Sequence, residues 1–596
     1  MCRIVGRVSK EPKSDFDDGI KSMLRSVVHG GPDDEGTYID GGVTLGHRRL
    51  SIIDLSKAGH QPMMTESSDV VISFNGEIYN YLDIKKELEG DGFVFRTKTD
   101  TEVILSAYLC WGTKAFDKLE GIFAFALYDK KQNLFFLVRD HLGVKPLYYF
   151  LNETELLFSS EVRAFKALKK EWKENEDWRI LFLAFGSIPH PYTTLSQVFQ
   201  LAPGAYLELD LKNFTHQLKF YYRFSSRNYT VNSQHDALTM MQLSLRKALR
   251  KNLISDAPLG IFLSGGIDSS LLTLLADQIA TNVKTISVNF DDASYDEYPF
   301  QKMVLEKTHH VNHTTHRVTE QMFWEQLDDI WNAMDQPSND GVNSYFVTRC
   351  AKRDGIKAVL SGLGADEIFG GYVSFKRIKW MRRFRQLPFK KTIARVLSSI
   401  KKSWARLVYL NIPGAIGDYL FLRGIYTPSE IARLLKVSED KVWKVLRAVP
   451  FDIPAETNDI GYASLLESKI YMTNQLLKDT DYMGMWHGVE VRVPFLDIEM
   501  LKNVHTLAPS ILYKNLWPKY LLTASSGNVL PHEIVFREKK GFTFPFALWM
   551  KRSSKRFRAL MPAGHEVNVV TEEFQRGQAH WSKCWSLAVL QQFSNK

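Results

Sequence analysis

The chain has 596 residues, of which 45% are hydrophobic, 12% aromatic and 24% charged, and this balance excludes a disordered, collagen-like or low-complexity polymer. At about four times a usual ~150-residue domain, it calls for at least two separately cored units. The net charge of +9 is local, because residues 376–406 hold 12 Lys or Arg and no Asp or Glu and leave the remainder at −3, so nucleic acid is not an expected partner.

In chain order, short apolar runs bounded by Gly, Asn and Asp come first. VTLGHRRLSIID (43–54), VVISFNGEIYN (70–80), IFAFALYD (122–129), LFFLVRD (134–140) and ELLFSSE (155–161) read as strands, and LDIKKELEGDG (82–92) and DTEVILSAYLCWG (100–112) as helices. They predict a sheet-rich α+β domain over residues 1–210. Residues 211–235 turn polar and read as a linker. From Ala237 the apolar residues take helical spacing (237–254), the strand PLGIFL (258–263) follows, and LLTLLADQIA, TISVNF, QKMVLEKT and IKAVLSG alternate helix and strand. That alternation predicts an α/β domain over 236–596, with a parallel sheet, a helical C-terminal part and ligands beyond the carboxyl ends of the strands. The four cysteines, Cys2, Cys110, Cys350 and Cys584, form no CxxC pair, which excludes a disulfide scaffold or zinc ribbon. No stretch approaches the ~18 apolar residues of a membrane span, and the opening MCRIVGRVSK lacks the apolar core of a secretory signal, so a cytoplasmic protein is expected.

SGGIDSS, Ser264 to Ser270, joins a strand to a helix. A Gly-rich turn of that kind offers free backbone N–H groups and a positive helix end to phosphate. It is not a Walker A loop, since GxxxxGK[ST] is absent. Ser264, Gly265, Gly266, Ser269 and Ser270 would donate to a pyrophosphate and Asp268 would hold Mg2+; the plainer alternative is a capped strand-to-helix turn. SGLGADEIFGGY (361–372) follows IKAVL in the same way and brings Asp366 and Glu367, so the two loops could converge on one metal–nucleotide site. At the head of the chain, removal of Met1 would place the Cys2 thiol beside a free α-amino group of pKa near ~7.7, joining nucleophile and base in one residue. The alternative is an inert buried thiol. In FNGEIYN, Asn75 and the Gly76 N–H suit an oxyanion hole, and Arg49 and Asp100 suit a substrate's carboxylate and ammonium.

These residues carry a resemblance to the glutamine-hydrolysing asparagine synthetases over nearly the whole chain. The N-terminal half resembles their class II, N-terminal-nucleophile amidotransferase domain through MC, GPDDEG (31–36), RRLSIIDLSKAGHQPM (48–63), NGEIYNY (75–81), DTEVIL (100–105) and RDHLGVKPLYY (139–149). The C-terminal half resembles their ATP-pyrophosphatase domain through SGGIDSS, SGLGADEIFGGY, GVEVRVPFLD (488–497) and REKKGFTFP (537–545). The resemblance implies an αββα sandwich followed by an α/β synthetase. In it Cys2 would form a glutamyl thioester, with Asn75 and Gly76 steadying the oxyanion and Arg49, Asn75, Glu77 and Asp100 holding glutamine. Ammonia would travel through a tunnel to β-aspartyl-AMP, made from aspartate and ATP. Leu263, Val288, Ser361 and Gly362 match positions around the adenine and ribose, Asp268 and Asp366 the Mg2+ ligands, and Lys539 the cation on the transferring phosphate. Glutamine, ATP and aspartate are the implied small-molecule partners, and a homodimer stays open.

Four positions depart from the family pattern. Arg3 replaces the glycine of MCGI and Gly30 the arginine of HRGPD, so Arg3 could block the nucleophile or lower its pKa. Leu363 stands where many members carry the acid of SG[DE]G assigned to ammonia addition, and Tyr482 where an arginine is frequent. They leave open amidation of another carboxylate, such as a sugar acid or small metabolite, or a degenerate fold that acts as a scaffold. His309, His310, His313 and His316 lack partners at zinc-ligand spacing. The basic segment 376–406, with Trp380, Phe384, Phe389 and Trp404, reads either as a surface for an anionic membrane or acidic partner, or as a solvated helical face.

Overall fold

The computed structural model describes every residue except 1, 12–15, 224–227, 389–391, 395, 398–401, 452, 455, 457, 515–516, 528, 539–540, 542–543 and 596. Twelve strands build the first half: β1 (Cys2–Ser9), β2 (Asp34–Asp40), β3 (Val43–Arg49), β4 (Met63–Met64), β5 (Val70–Ile78), β6 (Gly121–Asp129), β7 (Leu134–Arg139), β8 (Tyr148–Leu151), β9 (Glu155–Ser159), β10 (Phe199–Gln200), β11 (Ala205–Asp210) and β12 (Thr215–Phe220). They form two six-stranded sheets, ordered β10-β8-β9-β1-β3-β2 and β12-β11-β7-β6-β5-β4. Ile4, Val8 and Leu45 of the first meet Val71, Ala126 and Leu137 of the second in a shared core. Alternate residues face outward and are covered too. Val5 packs on Ile20, Met23 and Leu24 of the helix Phe16–Ser26, and Ile72 and Phe74 on Val103 and Ile104 of the helix Asp100–Trp111. With helices over both outer faces the layers are αββα, and GIFAFALYD reads as an unbroken apolar run because β6 is buried on both sides.

The stretch 211–235 holds β12, which pairs with β11 alone. As an edge strand it is largely solvent-exposed and carries no apolar alternation for a sequence reading to find.

The second half is built on five parallel strands, β13 (Leu259–Phe262), β14 (Val283–Asn289), β15 (Val311–Arg317), β16 (Ala358–Leu360) and β17 (Glu490–Arg492), ordered β15-β14-β13-β16-β17. The order reverses between β13 and β16, so the loops leaving these neighbours open a crevice at their carboxyl ends. His313 and His316 lie on β15, an edge strand, where His316 Nε2 meets Asp354 at 2.9 Å and His313 Nδ1 meets the Thr285 hydroxyl at 2.9 Å. Among the described residues no group of three or more His, Cys, Asp or Glu could hold a metal, and no helix is long and apolar enough to cross a membrane.

Part of the basic segment is the helix Ser374–Gln386, which buries Ile378, Met381 and Phe384. Two of its arginines turn inward, Arg382 pairing with Asp459 at 2.9 Å and Arg385 with Asp418 at 2.5 Å, and beyond the helix Arg406 donates to the Leu422 carbonyl at 3.1 Å. Trp380 packs against Phe384, Trp404 and Phe421. Phe389 lies outside the described residues. Three of its cations therefore tether this insert to the helical part of the second half.

Candidate active site

Cys2 opens β1 and lies opposite Arg49 on β3. Its backbone N–H donates to Asn75 Oδ1 at 3.1 Å, which places the thiol residue against β5. Burial raises the thiol pKa; the chain's N-terminal charge, a backbone hydrogen bond at Leu50 and Arg49 pull it back, and Glu77 adds to the rise. Successive strand residues face opposite sides, and Arg3 runs away from the thiol into contact with Glu161 and Asp481, so the expectation that it blocks the nucleophile is corrected.

Asn75 Nδ2 is buried and has no hydrogen-bond partner among the described residues, a donor available to an oxyanion. Next to it, a Cβ at Gly76 would sit 2.2 Å from the Ile122 carbonyl oxygen, so only glycine lets β5 approach β6 here. The Arg49 guanidinium donates to the carbonyls of Ser56 (2.9 Å) and Asp54 (2.5 Å), and the missing side chain of Gly59 makes room for it. Asp100 starts a helix capped by Thr99 and accepts from the Ile78 N–H at 2.9 Å. Burial lifts its carboxyl pKa to about 6, against the pull of that hydrogen bond. Glu77 is pushed well above the ordinary range by burial and by Glu490, with Arg492 of β17 opposing. Cys2, Arg49, Asn75, Gly76, Glu77 and Asp100 thus lie on the facing ends of β1, β3 and β5 and the helix that follows.

At the second site β13 delivers the loop Ser264–Gly266 to the helix Ile267–Asp277, whose N-terminal Gly266 has no side-chain cap. Gly265 takes φ +74°, a left-handed turn that glycine adopts without strain. Ser269 Oγ accepts from the Ser264 N–H at 3.1 Å and holds the loop closed, while the buried Ser270 hydroxyl has no partner among the described residues. Leu263 and Val288 are buried at the ends of β13 and β14. Ser361 and Gly362 follow β16, and a Cβ on Gly362 would lie 2.7 Å from Asp268 Cβ, so the two loops touch.

Asp268 and Asp366 meet on one ammonium. Lys519 Nζ lies 2.5 Å from Asp268 Oδ2 and 2.6 Å from Asp366 Oδ1, with its side chain only 5% exposed. Burial opposes its charge, but the two carboxylates outweigh burial and hold its pKa above the ordinary lysine value. Two hard oxygen donors already gathered around a cation fit Mg2+, for which substrate phosphates supply further ligands. Asp268 and Asp366 would hold Mg2+, which would neutralise charge on the phosphates of a nucleotide. Lys519 was not among the residues expected from the motifs; its only sequence signal is a lysine ahead of the apolar YLL. Arg537, paired with Glu297 at 2.5 Å, borders the same loop, 3.9 Å from a Cβ placed on Gly266. Lys539 lies outside the described residues.

Behind Asp366, Glu367 is buried and accepts from the Tyr372 hydroxyl at 2.6 Å; burial and the Asp366 charge raise its pKa to about 7. Arg423 pairs with Glu467 at 2.5 Å and lies over the rings of Tyr471 and Tyr372, 3.6 and 4.4 Å from their centroids. At the boundary of the two halves, Val144 of the sandwich, with Leu477, Met485, Val489, Val491 and Val493, lines a small cavity that also reaches Lys145 and Asp481.

Residues 1–222 match the glutamine amidotransferase domain family and residues 241–591 the asparagine synthase family. The chain belongs to the asparagine synthase family. It is 29% identical over 571 residues to asparagine synthetase [glutamine-hydrolyzing] 1 of Bacillus subtilis, covering 92% of this chain and 88% of the relative. It is 30% identical over 576 residues to asparagine synthetase [glutamine-hydrolyzing] 3 of the same organism, covering 91% and 87%. It is also 26% identical over 585 residues to the amidase chry2 of Gibberella zeae, covering 89% and 85%. This asparagine synthase family member is a glutamine-dependent amidating ligase.

Proposed function

We propose that this ligase converts aspartate to asparagine with ATP and glutamine, residues 1–210 acting as the glutaminase, 236–596 as the synthetase and 211–235 joining them. The Cys2 thiolate attacks the side-chain carbonyl of glutamine; the carbon–nitrogen bond breaks, the amino group returns its proton to the leaving nitrogen, and water resolves the thioester to glutamate. Asn75 Nδ2 and the Gly76 N–H receive the oxyanion, Arg49 the substrate carboxylate, and Glu77 and Asp100 its ammonium. At the second site an oxygen of the aspartate β-carboxylate attacks the α-phosphorus of ATP and expels pyrophosphate. Ammonia then displaces AMP from β-aspartyl-AMP. The Ser264–Ser270 loop, Ser361 and Gly362 cradle the nucleotide beside Leu263 and Val288, Asp268 and Asp366 hold Mg2+, and Lys519 and Lys539 supply positive charge. Glu367, poised near neutrality, takes the proton of the attacking ammonia in place of the acid that Leu363 has replaced.

The contact of the two strand-end loops, with Asp268 and Asp366 drawn onto Lys519, carries this reading. A coupled assay tests it. Wild-type protein should release AMP and pyrophosphate with aspartate, and Cys2→Ala should lose glutamine-driven but retain ammonia-driven product. A second reading, amidation of a different carboxylate, rests on Leu363 and on the likeness to the fungal amidase. ATP turnover that ignores aspartate but answers to another acid in a panel would favour it.

A further inference from the structure

Arg3 is the chain neighbour of Cys2, and none of its surface is exposed. Its Nε lies 2.6 Å from Glu161 Oε1 and its Nη1 2.7 Å from Asp481 Oδ2. Both acceptors are shared. Glu161 also meets His29 at 2.9 Å and Arg163 at 2.7 Å, and Asp481 meets Lys145 at 2.8 Å. Asp481 belongs to the helix Leu477–Trp486 of the second half, and that helix lines the cavity at the boundary of the two halves through Leu477 and Met485. A single ion pair therefore joins the nucleophile's strand to a wall of that cavity.

The two unusual residues at the head of the chain belong together. A Cβ at Gly30 would fall 2.6 Å from Arg3 Cγ and 2.9 Å from Arg3 Nε, so a side chain at position 30 and an arginine at position 3 exclude each other. Where the family pattern has glycine at 3 and arginine at 30, this chain has the reverse, and the guanidinium enters from the nucleophile's own strand. Buried ion pairs of this kind fix geometry more than they stabilise, since apolar residues of similar volume would pack as well. Beside it the hydroxyls of Tyr148 and Tyr482 hydrogen-bond across the same boundary.

We propose that Arg3 is a positioning residue that ties the Cys2 strand to the helix Leu477–Trp486 and thereby couples glutamine hydrolysis to amide formation, with Gly30 kept small to admit it. This rests on the two-site reading above. The tether acts on Cys2 through β1 and not by contact with substrate, so its loss should separate the two half-reactions without abolishing either.

The test compares full-length wild type with Arg3→Met, Asp481→Asn, the double variant and the exchange Arg3→Gly/Gly30→Arg. Glutamate and AMP are measured with glutamine, ATP and aspartate, and AMP alone with ammonia. Each single variant should raise glutamate formed per AMP by about fivefold or more, the double variant should go no further than the larger single effect, and the exchange should recover the wild-type ratio within about twofold. Ammonia-driven AMP release should stay within about twofold of wild type. An unchanged ratio in the single variants, multiplying effects in the double variant, or an equal loss of ammonia-driven product overturns the tether. If Arg3→Met does not fold, Asp481→Asn decides by the same ratio. Wild-type protein that releases no AMP would overturn the two-site reading instead; the tether is then read from the KM for glutamine in hydrolysis, expected to rise about fivefold in both single variants and overturned if it does not move.

Discussion

Arg492, on the last strand of the parallel sheet, holds its guanidinium 3.6 Å from the carboxylate of Glu77, on the strand beside the nucleophile. Arg492 is itself anchored by Glu490 and by the carbonyls of Asn252 (2.8 Å) and Ile254 (2.5 Å). It opposes burial and Glu490 in setting the ionisation of Glu77. Replacing it in Arg492→Met should push the Glu77 carboxyl further toward its neutral form and raise the KM for glutamine about tenfold, equivalent to ~1.4 kcal/mol of lost binding. Steady-state glutaminase kinetics check this; an unchanged KM would show that the Glu77 charge is not used.

The raised pKa of Asp100 sets an acid limb. Its carboxyl titrates near pH 6, so above that pH it presents the charge that an ammonium needs, and below it the charge is lost. The KM for glutamine should climb about tenfold per pH unit below 6. Asp100→Asn should show a high KM that no longer depends on pH across this range.

Lys519→Met should reduce AMP release by about a hundredfold, the scale of losing one preorganised charge at a reacting phosphate. It also removes the ammonium that Asp268 and Asp366 share, so the nucleotide-free protein should melt at a lower temperature. Mg2+ added alone should raise the melting temperature of the variant more than that of wild type. Equal Mg2+ responses in thermal scans would argue against a shared cation position.

The proposed role of Glu367 predicts that its loss separates the two chemical steps at the second site. Glu367→Gln should leave aspartate-dependent exchange of pyrophosphate into ATP within about twofold and cut asparagine formation about a hundredfold. In wild type the ammonia-driven rate, corrected for free ammonia, should rise with pH through about 7 as the Glu367 carboxyl ionises. A pH-independent rate would remove Glu367 from the step.

Filling the cavity tests the route for nitrogen. Val491 lines it from β17, and Val491→Phe should cost about 1–3 kcal/mol of stability through overpacking. Glutamate should still form, while glutamine-driven product falls well below ammonia-driven product. Parallel loss of both would mean that the substitution damages the synthetase site itself.

Most of the layers and loops could be read from the sequence because their signals are local. The apolar run of β6, the glycines of SGGIDSS and the cap at Thr99 each lie within about ten residues of what they shape. β12 and β15 were hidden because edge strands exposed to water carry no apolar alternation. Lys519 was hidden for a different reason: it meets Asp268 across 251 positions, and no periodicity announces a pairing of that span. Arg3 lies 478 positions from Asp481, so its neighbourhood to Cys2 suggested obstruction, whereas the strand pleat turns it to the opposite side. The basic segment left two readings open from composition alone, since charge counts do not say that Arg382 and Arg385 point at Asp459 and Asp418.

The sharing of Asp481 between Arg3 and Lys145 has a bearing on how such chains can be recombined. A hybrid joined within the front half, between positions 3 and 30, would inherit a guanidinium entering from position 3, from position 30, from both or from neither. Two of those four outcomes crowd or empty a dry pocket. Grafts that move positions 3 and 30 together and keep the acids at 161 and 481 should assemble, and those that split the set should not.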